Sequence, residues 1–301
     1  MRCVWIVPHQ RQEMPVYRHE WFDLWLHSQD ELAAILGSPI LTRETLHQWP
    51  LSCVQQIRTA DGQRWIYKTQ TDPTIEATFY ERARSDLLLP AQTIGQQNGH
   101  VMMLLPFVDA PLLHAQAQSE TDLLQTASAV VAQIATISGD PPYLYDIGGP
   151  DQWRMLVEAT CHTLHNLVSS GQFTQVTASM IDQTQRQLLA EPVCAATGQK
   201  SGLVHGDLTG DNVFVVDDGR WYVIDWARPV LGPTDLDLAN LLESLGIDPL
   251  HHVSREIMMI LYGMRIQWFA QCAAQWFPAG TPTYDTQIVE LMRRLDTIRQ
   301  P

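Results

Sequence analysis

Two short apolar segments, each running into a polar loop, constrain this chain more than anything else in it. Leu203-Val204 leads into His205-Gly206-Asp207-Leu208-Thr209-Gly210-Asp211-Asn212-Val213, and Val223-Ile224 leads into Asp225-Trp226. Between them, Val213–Val216 and Trp221–Ile224 read as strands joined by Asp217-Asp218-Gly219, a turn signal. The arrangement puts Asp207, Asn212 and Asp225 on strand-flanked loops. Asp and Asn are ordinary turn and cap residues, but two such motifs, correctly ordered and bounded by apolar strands, make an accidental match a poor explanation.

The chain changes character along its length. Residues 1–108 read as strand-rich. Arg2 to Val7 has strand composition, and Asp30 to Leu36 is a short helix stopped by Gly37. Val54–Arg58 and Arg64–Thr69 are strands separated by Ala60-Asp61-Gly62. Asp72-Pro73 opens a helix through Glu76, Phe79, Tyr80 and Ala83. Val101–Leu105 is a buried strand ended by Pro106, which lacks an N–H for the ladder.

Residues 109–301 are mainly helical. Ser119 caps a helix bearing Leu123, Leu124, Ala127, Val130, Val131, Ile134 and Ile137 at helical spacing. Further helices are expected near 151–169, 174–190, 235–245, 253–276 and 284–298. This is an α+β arrangement of a strand-rich lobe, 1–108, and a helical lobe, 109–301.

Composition narrows the function classes. Hydrophobic residues make up 45% of the 301 and charged residues 17%, which describes a folded globular chain. A net charge of −14 without a basic run argues against a nucleic-acid partner. Five scattered cysteines without a C-x-x-C pair fit reduced thiols and a cytoplasmic location. No segment reaches the roughly 18 consecutive apolar residues of a membrane span, and the first residues lack a signal-peptide pattern. Cys161, His162 and His165 have helical spacing but no fourth ligand, so a zinc site is not expected.

Phosphoryl transfer needs one carboxylate to orient an attacking hydroxyl, with an amide oxygen and a second carboxylate to hold magnesium on a nucleotide. The pattern H-G-D-x-x-x-x-N followed by I-D-W resembles the aminoglycoside phosphotransferase and choline kinase-like family, relatives of the protein kinases. The resemblance covers about residues 45–295. It implies a two-lobed, protein-kinase-like fold and a small-molecule kinase. Asp207 would be the catalytic base, Asn212 and Asp225 the Mg2+ ligands, and ATP, with GTP as the alternative, the donor.

By the same resemblance, His205 packs beneath the loop as a structural residue. Asp237, in Gly232-Pro233-Thr234-Asp235-Leu236-Asp237-Leu238-Ala239, supports that loop, while Asp235 reads as a helix N-cap. Lys68 is the only lysine before Lys200 and ends a strand. The resemblance assigns it to the nucleotide phosphates, with Glu76, or alternatively Glu81, as its partner. Pro106-Phe107-Val108 would be the hinge, with the Pro106 carbonyl and Val108 N–H facing adenine.

One departure stands out. The hairpin expected over the phosphates, Trp49-Pro50-Leu51-Ser52-Cys53, contains no glycine, so its backbone lacks the easy close approach to phosphate that glycine gives. Ser52 is its one polar contributor. This is the feature that favours the alternative, a catalytically silent kinase-like binding protein. For the acceptor, Glu243, Asp248, Asp285 and Glu290, with Trp268, Trp276, Tyr262 and Tyr284, are the groups available to a cation. Leu261, Met264, Trp268, Cys272 and Trp276 also read as an ordinary core stripe. The acceptor and the oligomeric state are left open.

Overall fold

A computed structural model describes residues 16–20, 22–116, 118–216 and 219–299. The expected strand at Arg2–Val7 and the Asp217-Asp218 part of the turn lie outside them. The chain divides into two compact units. One takes the residues up to Asp72 and Pro90–Phe107, the other Pro73–Leu89 and everything from Val108 onward.

The first unit is built on a five-stranded antiparallel sheet. Its spatial order is Ile40–Trp49, Ser52–Thr59, Arg64–Thr71, His100–Pro106, Gln92–Gln97. Ser52–Thr59 nearly alternates buried and exposed positions, as a strand with one covered face should. Leu26, Leu32, Ile57, Tyr67, Met102 and Leu104 form its core. The Gln29–Leu36 helix starts with a capping box, Ser28 against Glu31, and ends at Gly37 with φ 68°.

Ile40–Trp49 was not anticipated as a strand. It is the sheet edge and is exposed over most of its length, so no alternation marks it. Lys68 sits on the central Arg64–Thr71 strand, opposite Val54 and Met103. It is 7% exposed.

The second unit is mainly helical. The helix expected from Asp72-Pro73 begins later, spanning Glu76–Arg82. It groups with the second unit because Phe79, Ala83 and Leu87 share a core with Leu113, Val130, Leu208, Val213 and Trp226. A second core gathers Trp153, Val157, Leu164, Ile181, Ile260 and Ile288 from Pro150–Ser169, Ala178–Leu188, Arg255–Gln271 and Thr281–Arg299. The helix expected at 174–190 is the shorter Ala178–Leu188, and the Glu191–Thr197 helix that follows was not expected.

The long penultimate helix ends at Gln271 and continues as a widened π turn, Cys272–Trp276. Among the described residues, no helix is long and apolar enough to cross a membrane.

Two small strand assemblies carry the motif loops. Val213–Val215 pairs antiparallel with Trp221–Val223. Val230–Pro233 lies between Ser201–Val204, antiparallel, and Tyr145–Asp146, parallel. That middle strand escaped the sequence reading. It begins four residues after Trp226 and pairs with the strand that leads into His205, and so ties the end of the second motif to the start of the first.

Candidate active site

The Ser201–Val204 strand delivers the chain to His205 and then turns at Gly206, whose φ is 83°. A side chain there would be strained by that backbone and would also collide with the Arg228 carbonyl. Asp237 holds the turn from behind. Its Oδ2 accepts the His205 N–H at 2.7 Å and its Oδ1 the Gly206 N–H at 3.2 Å. Asp237 is 1% exposed, and burial pushes its carboxyl up to about 7, against the pull of those two N–H donors.

Asp235 does not cap the Asp235–Ser244 helix. Thr234 occupies the cap position, and Asp235, already helical, pairs with Lys200 Nζ at 3.2 Å.

His205 is fully buried, and burial holds its imidazole below the usual histidine range. Nε2–H donates to the Ile224 carbonyl at 2.9 Å, while Nδ1 accepts the Asp207 N–H at 3.3 Å. One imidazole thus satisfies both motif loops, as a neutral ring with one donor and one acceptor. Trp226 packs beside it, with ring centroids 4.5 Å apart, and stacks on Phe79 at 4.3 Å and 7°. The indole Nε1–H reaches the Val223 carbonyl at 3.0 Å.

Asn212 and Asp225 are brought together through the backbone, where Ile224 N–H donates to the Asn212 carbonyl at 3.0 Å. The Asn212 amide nitrogen donates to the Asp207 carbonyl at 2.8 Å. That bond identifies the amide nitrogen and leaves the side-chain oxygen as an acceptor. Asp225 has φ 67°, a conformation that Asp tolerates better than most residues.

An amide oxygen and a carboxylate are hard donors of the kind magnesium prefers, and magnesium commonly takes its remaining ligands from phosphate and water. The donor set fits that ion. Among the described residues, no group of three or more His, Cys, Asp or Glu forms a metal cage on its own. His165 instead faces Asp182 at 3.4 Å, and Cys161 is buried.

The structure adds a residue absent from the sequence reading. Arg228 Nη2 is hydrogen-bonded to Asp207 Oδ2, and its guanidinium lies 4.0 Å from the centre of the Trp268 ring. The available signal was a cation three residues beyond Asp225, in Trp226-Ala227-Arg228-Pro229. The following proline biases Arg228 towards an extended backbone.

The remaining predicted residues fall as follows. Glu76, 2% exposed, is the first residue of its helix, whereas Glu81 is exposed. Ser52 is 5% exposed, and its hydroxyl accepts the Trp49 indole N–H at 2.7 Å within its own hairpin. Pro106 ends its strand opposite Trp65. Phe107 N–H donates to the Arg64 carbonyl, and Val108 opens the second unit.

The carboxylates considered for a cationic acceptor are engaged elsewhere. Glu243 meets Arg265 at 2.5 Å, Arg294 at 3.0 Å and the Tyr262 hydroxyl at 3.0 Å. Asp285, 2% exposed, accepts the N–H groups of Thr174, Gln175 and Val176. Asp248 caps Leu250, and Glu290 pairs with Arg294.

A strand-rich unit and a helical unit, the latter presenting a braced His-Gly-Asp loop beside an Ile-Asp-Trp loop, define a protein-kinase-like fold. Solved structures agree. A thermostable mutant of aminoglycoside phosphotransferase APH(4)-Ia, in ternary complex with ADP and hygromycin B, matches with TM-score 0.63 at 17% identity. That match covers 90% of this chain and 97% of that one.

A choline/ethanolamine kinase family protein from Mesorhizobium loti matches with TM-score 0.62 at 13% identity, covering 91% and 94%. The AMP-bound spectinomycin phosphotransferase APH(9)-Ia matches with TM-score 0.52 at 13%, covering 90% and 99%. No curated protein matches by sequence. The sequence model of the phosphotransferase enzyme family matches residues 56–289. The chain belongs to that family.

Proposed function

We propose that this protein is a small-molecule kinase, transferring the γ-phosphoryl group of a nucleoside triphosphate to a hydroxyl of its acceptor. The observation that carries this reading is the bracing of the Asp207 loop by Asp237, His205 and Asn212, because a carboxylate held on a rigid loop is what hydroxyl orientation requires. In the reaction the acceptor oxygen bonds to the γ-phosphorus and the bridging bond to the β-phosphate breaks. A nucleoside diphosphate leaves, and the hydroxyl proton passes to Asp207. Asn212 and Asp225 would hold magnesium, which neutralises phosphate charge when bound.

Lys68 is assigned to the phosphates. Glu76, with Glu81 the alternative, is assigned as its counter-charge by the family resemblance. Pro106 and Val108 are assigned to the adenine edge of an ATP donor.

The alternative, a silent binding protein of the same fold, draws on the glycine-free hairpin with its locked Ser52. Thermal unfolding with ATP and GTP, with and without magnesium, on wild type and Asp225→Ala, separates the two. At a hundredfold excess over Kd, tight occupancy stabilises by about 2.7 kcal/mol. A magnesium-dependent shift lost in Asp225→Ala is expected. No shift with either nucleotide would sink the kinase reading. Asp207→Asn should keep the nucleotide shift and lower transfer by about 10²–10⁴-fold, the usual worth of a general base.

A further inference from the structure

Arg228 stands where an acceptor must arrive. An attacking hydroxyl has to come within about 3 Å of the Asp207 carboxylate, and the guanidinium already occupies one oxygen of that carboxylate. Its side chain is 19% exposed against 43% for Asp207. The guanidinium carbon lies over the Trp268 ring, and the guanidinium has N–H donors beyond the one given to Asp207.

The group formed by Tyr145 and its partners is neutral. Val230, two residues on, pairs with Tyr145. The Tyr145 hydroxyl donates to Gln271 at 2.7 Å and accepts from the Gln267 amide at 3.0 Å. Burial pushes the Tyr145 phenol up, while the Gln267 bond and then the Arg228 charge pull it down, which marks the guanidinium as an electrostatic neighbour.

A cationic acceptor at this place would meet Arg228, while Glu243 and Asp285 are each held by several other partners and the exposed Asp248 and Glu290 bond Leu250 N–H and Arg294. The chain's net charge of −14 does not reverse this. Charges farther away than about 8 Å are largely screened at physiological salt, so the groups nearest the acceptor, Arg228 and the Asp207 it pairs with, count most. A planar fork with one nitrogen on a carboxylate and its carbon over an indole keeps donors for a second oxyanion, which a guanidinium can bind in two-point fashion.

We propose that Arg228 is the specificity-determining residue of the acceptor site, and that the acceptor is a hydroxyl compound bearing an oxyanion, a carboxylate or a phosphate. The oxyanion takes the guanidinium from Asp207 and frees that carboxylate for the hydroxyl. The assignment rests on the kinase reading above.

Four six-carbon probes of matched size test it by thermal unfolding of the full chain at constant ionic strength. They are gluconate, glucose 6-phosphate, glucose and glucosamine, applied to wild type, Arg228→Lys and Arg228→Gln. One or both anions should raise the wild-type melting temperature, and the larger shift identifies carboxylate or phosphate as the favoured group. Arg228→Gln should weaken the apparent affinity by about tenfold or more, with Arg228→Lys between the two. Glucose and glucosamine should give no arginine-dependent shift.

Stabilisation by glucosamine above that by the anions would overturn the proposal, as would anion shifts that survive in Arg228→Gln or are absent from wild type. Should Arg228→Gln lose cooperative melting, Arg228→Lys carries the comparison. The magnesium–ATP shift on the same samples keeps the two readings apart. A nucleotide shift without an anion shift overturns the acceptor assignment alone, and loss of both overturns the kinase reading.

Discussion

The Trp49–Ser52 turn closes on itself, the indole N–H of Trp49 reaching the Ser52 hydroxyl three residues away. The His205–Asp207 loop is held instead by Asp237, 32 residues from His205 and 31 from Gly206, and by the Ile224 carbonyl, 19 residues from His205. Both segments bear on the proposed phosphoryl transfer. The first is stabilised locally and should tolerate change nearly independently of the rest. The second is a junction of several elements, so a defect in any of its supports reaches Asp207. A loop meant to orient a proton acceptor gains from the second arrangement, because its geometry is over-determined.

Breaking the junction at its largest apolar member should cost most. Trp226 is fully buried between Phe79 and His205, and Trp226→Ala should destabilise by about 3–5 kcal/mol, as large-to-small core changes do. Denaturant unfolding would measure this. A loss no larger than that from an exposed substitution would refute the junction.

Asp237→Ala comes next. It orphans the buried His205 N–H, at about 1–3 kcal/mol, and frees the more exposed Gly206 N–H, and transfer should fall with stability because the loop bearing Asp207 loosens. The same residue predicts a pH signature. The Asp237 carboxyl rises to about 7 in the folded protein, above the roughly 3.9 of an unfolded chain. Folding therefore retains a proton that the unfolded chain releases. The contribution is fully present below about pH 4 and is lost as pH rises through about 7. Asp237→Asn has no such proton, so the wild-type stability relative to this variant should decline from pH 4 to 7. A constant difference would contradict the raised value.

At the hairpin, Ser52→Ala removes one local hydrogen bond and should cost only about 0.5–1.5 kcal/mol. Nucleotide-dependent stabilisation should be unchanged. Loss of that stabilisation would return Ser52 to the phosphate site and narrow the contrast between the two segments.

Much of this was legible along the chain, and the exceptions have specific causes. The Asp61-Gly62 turn, the Gly37 stop and the Ser119 cap were readable because each is decided within a few residues. The Ile40–Trp49 strand was not, since an edge strand with both faces wet shows no alternation. The Glu76–Arg82 helix starts three residues after Pro73 because Ile75 is tied to the Ala227 carbonyl, a partner no local pattern announces. Asp235 looked like a cap by residue type, but Thr234 holds that position.

The sequence by itself determined the motif loops, the division into strand-rich and helical parts and the chemical character of Asp207, Asn212 and Asp225. These follow from local periodicity, turn chemistry and side-chain type. Only the tertiary structure decided which atoms Asp237 and His205 use to brace the loop, that the Ser52 hydroxyl accepts the Trp49 indole N–H, and that the carboxylates expected near the acceptor bond arginines, a hydroxyl and backbone N–H groups. It also set Arg228 against Asp207. Each of these is a pairing between residues, most of them distant along the chain, and burial and hydrogen-bond satisfaction are fixed only once the chain has closed on itself.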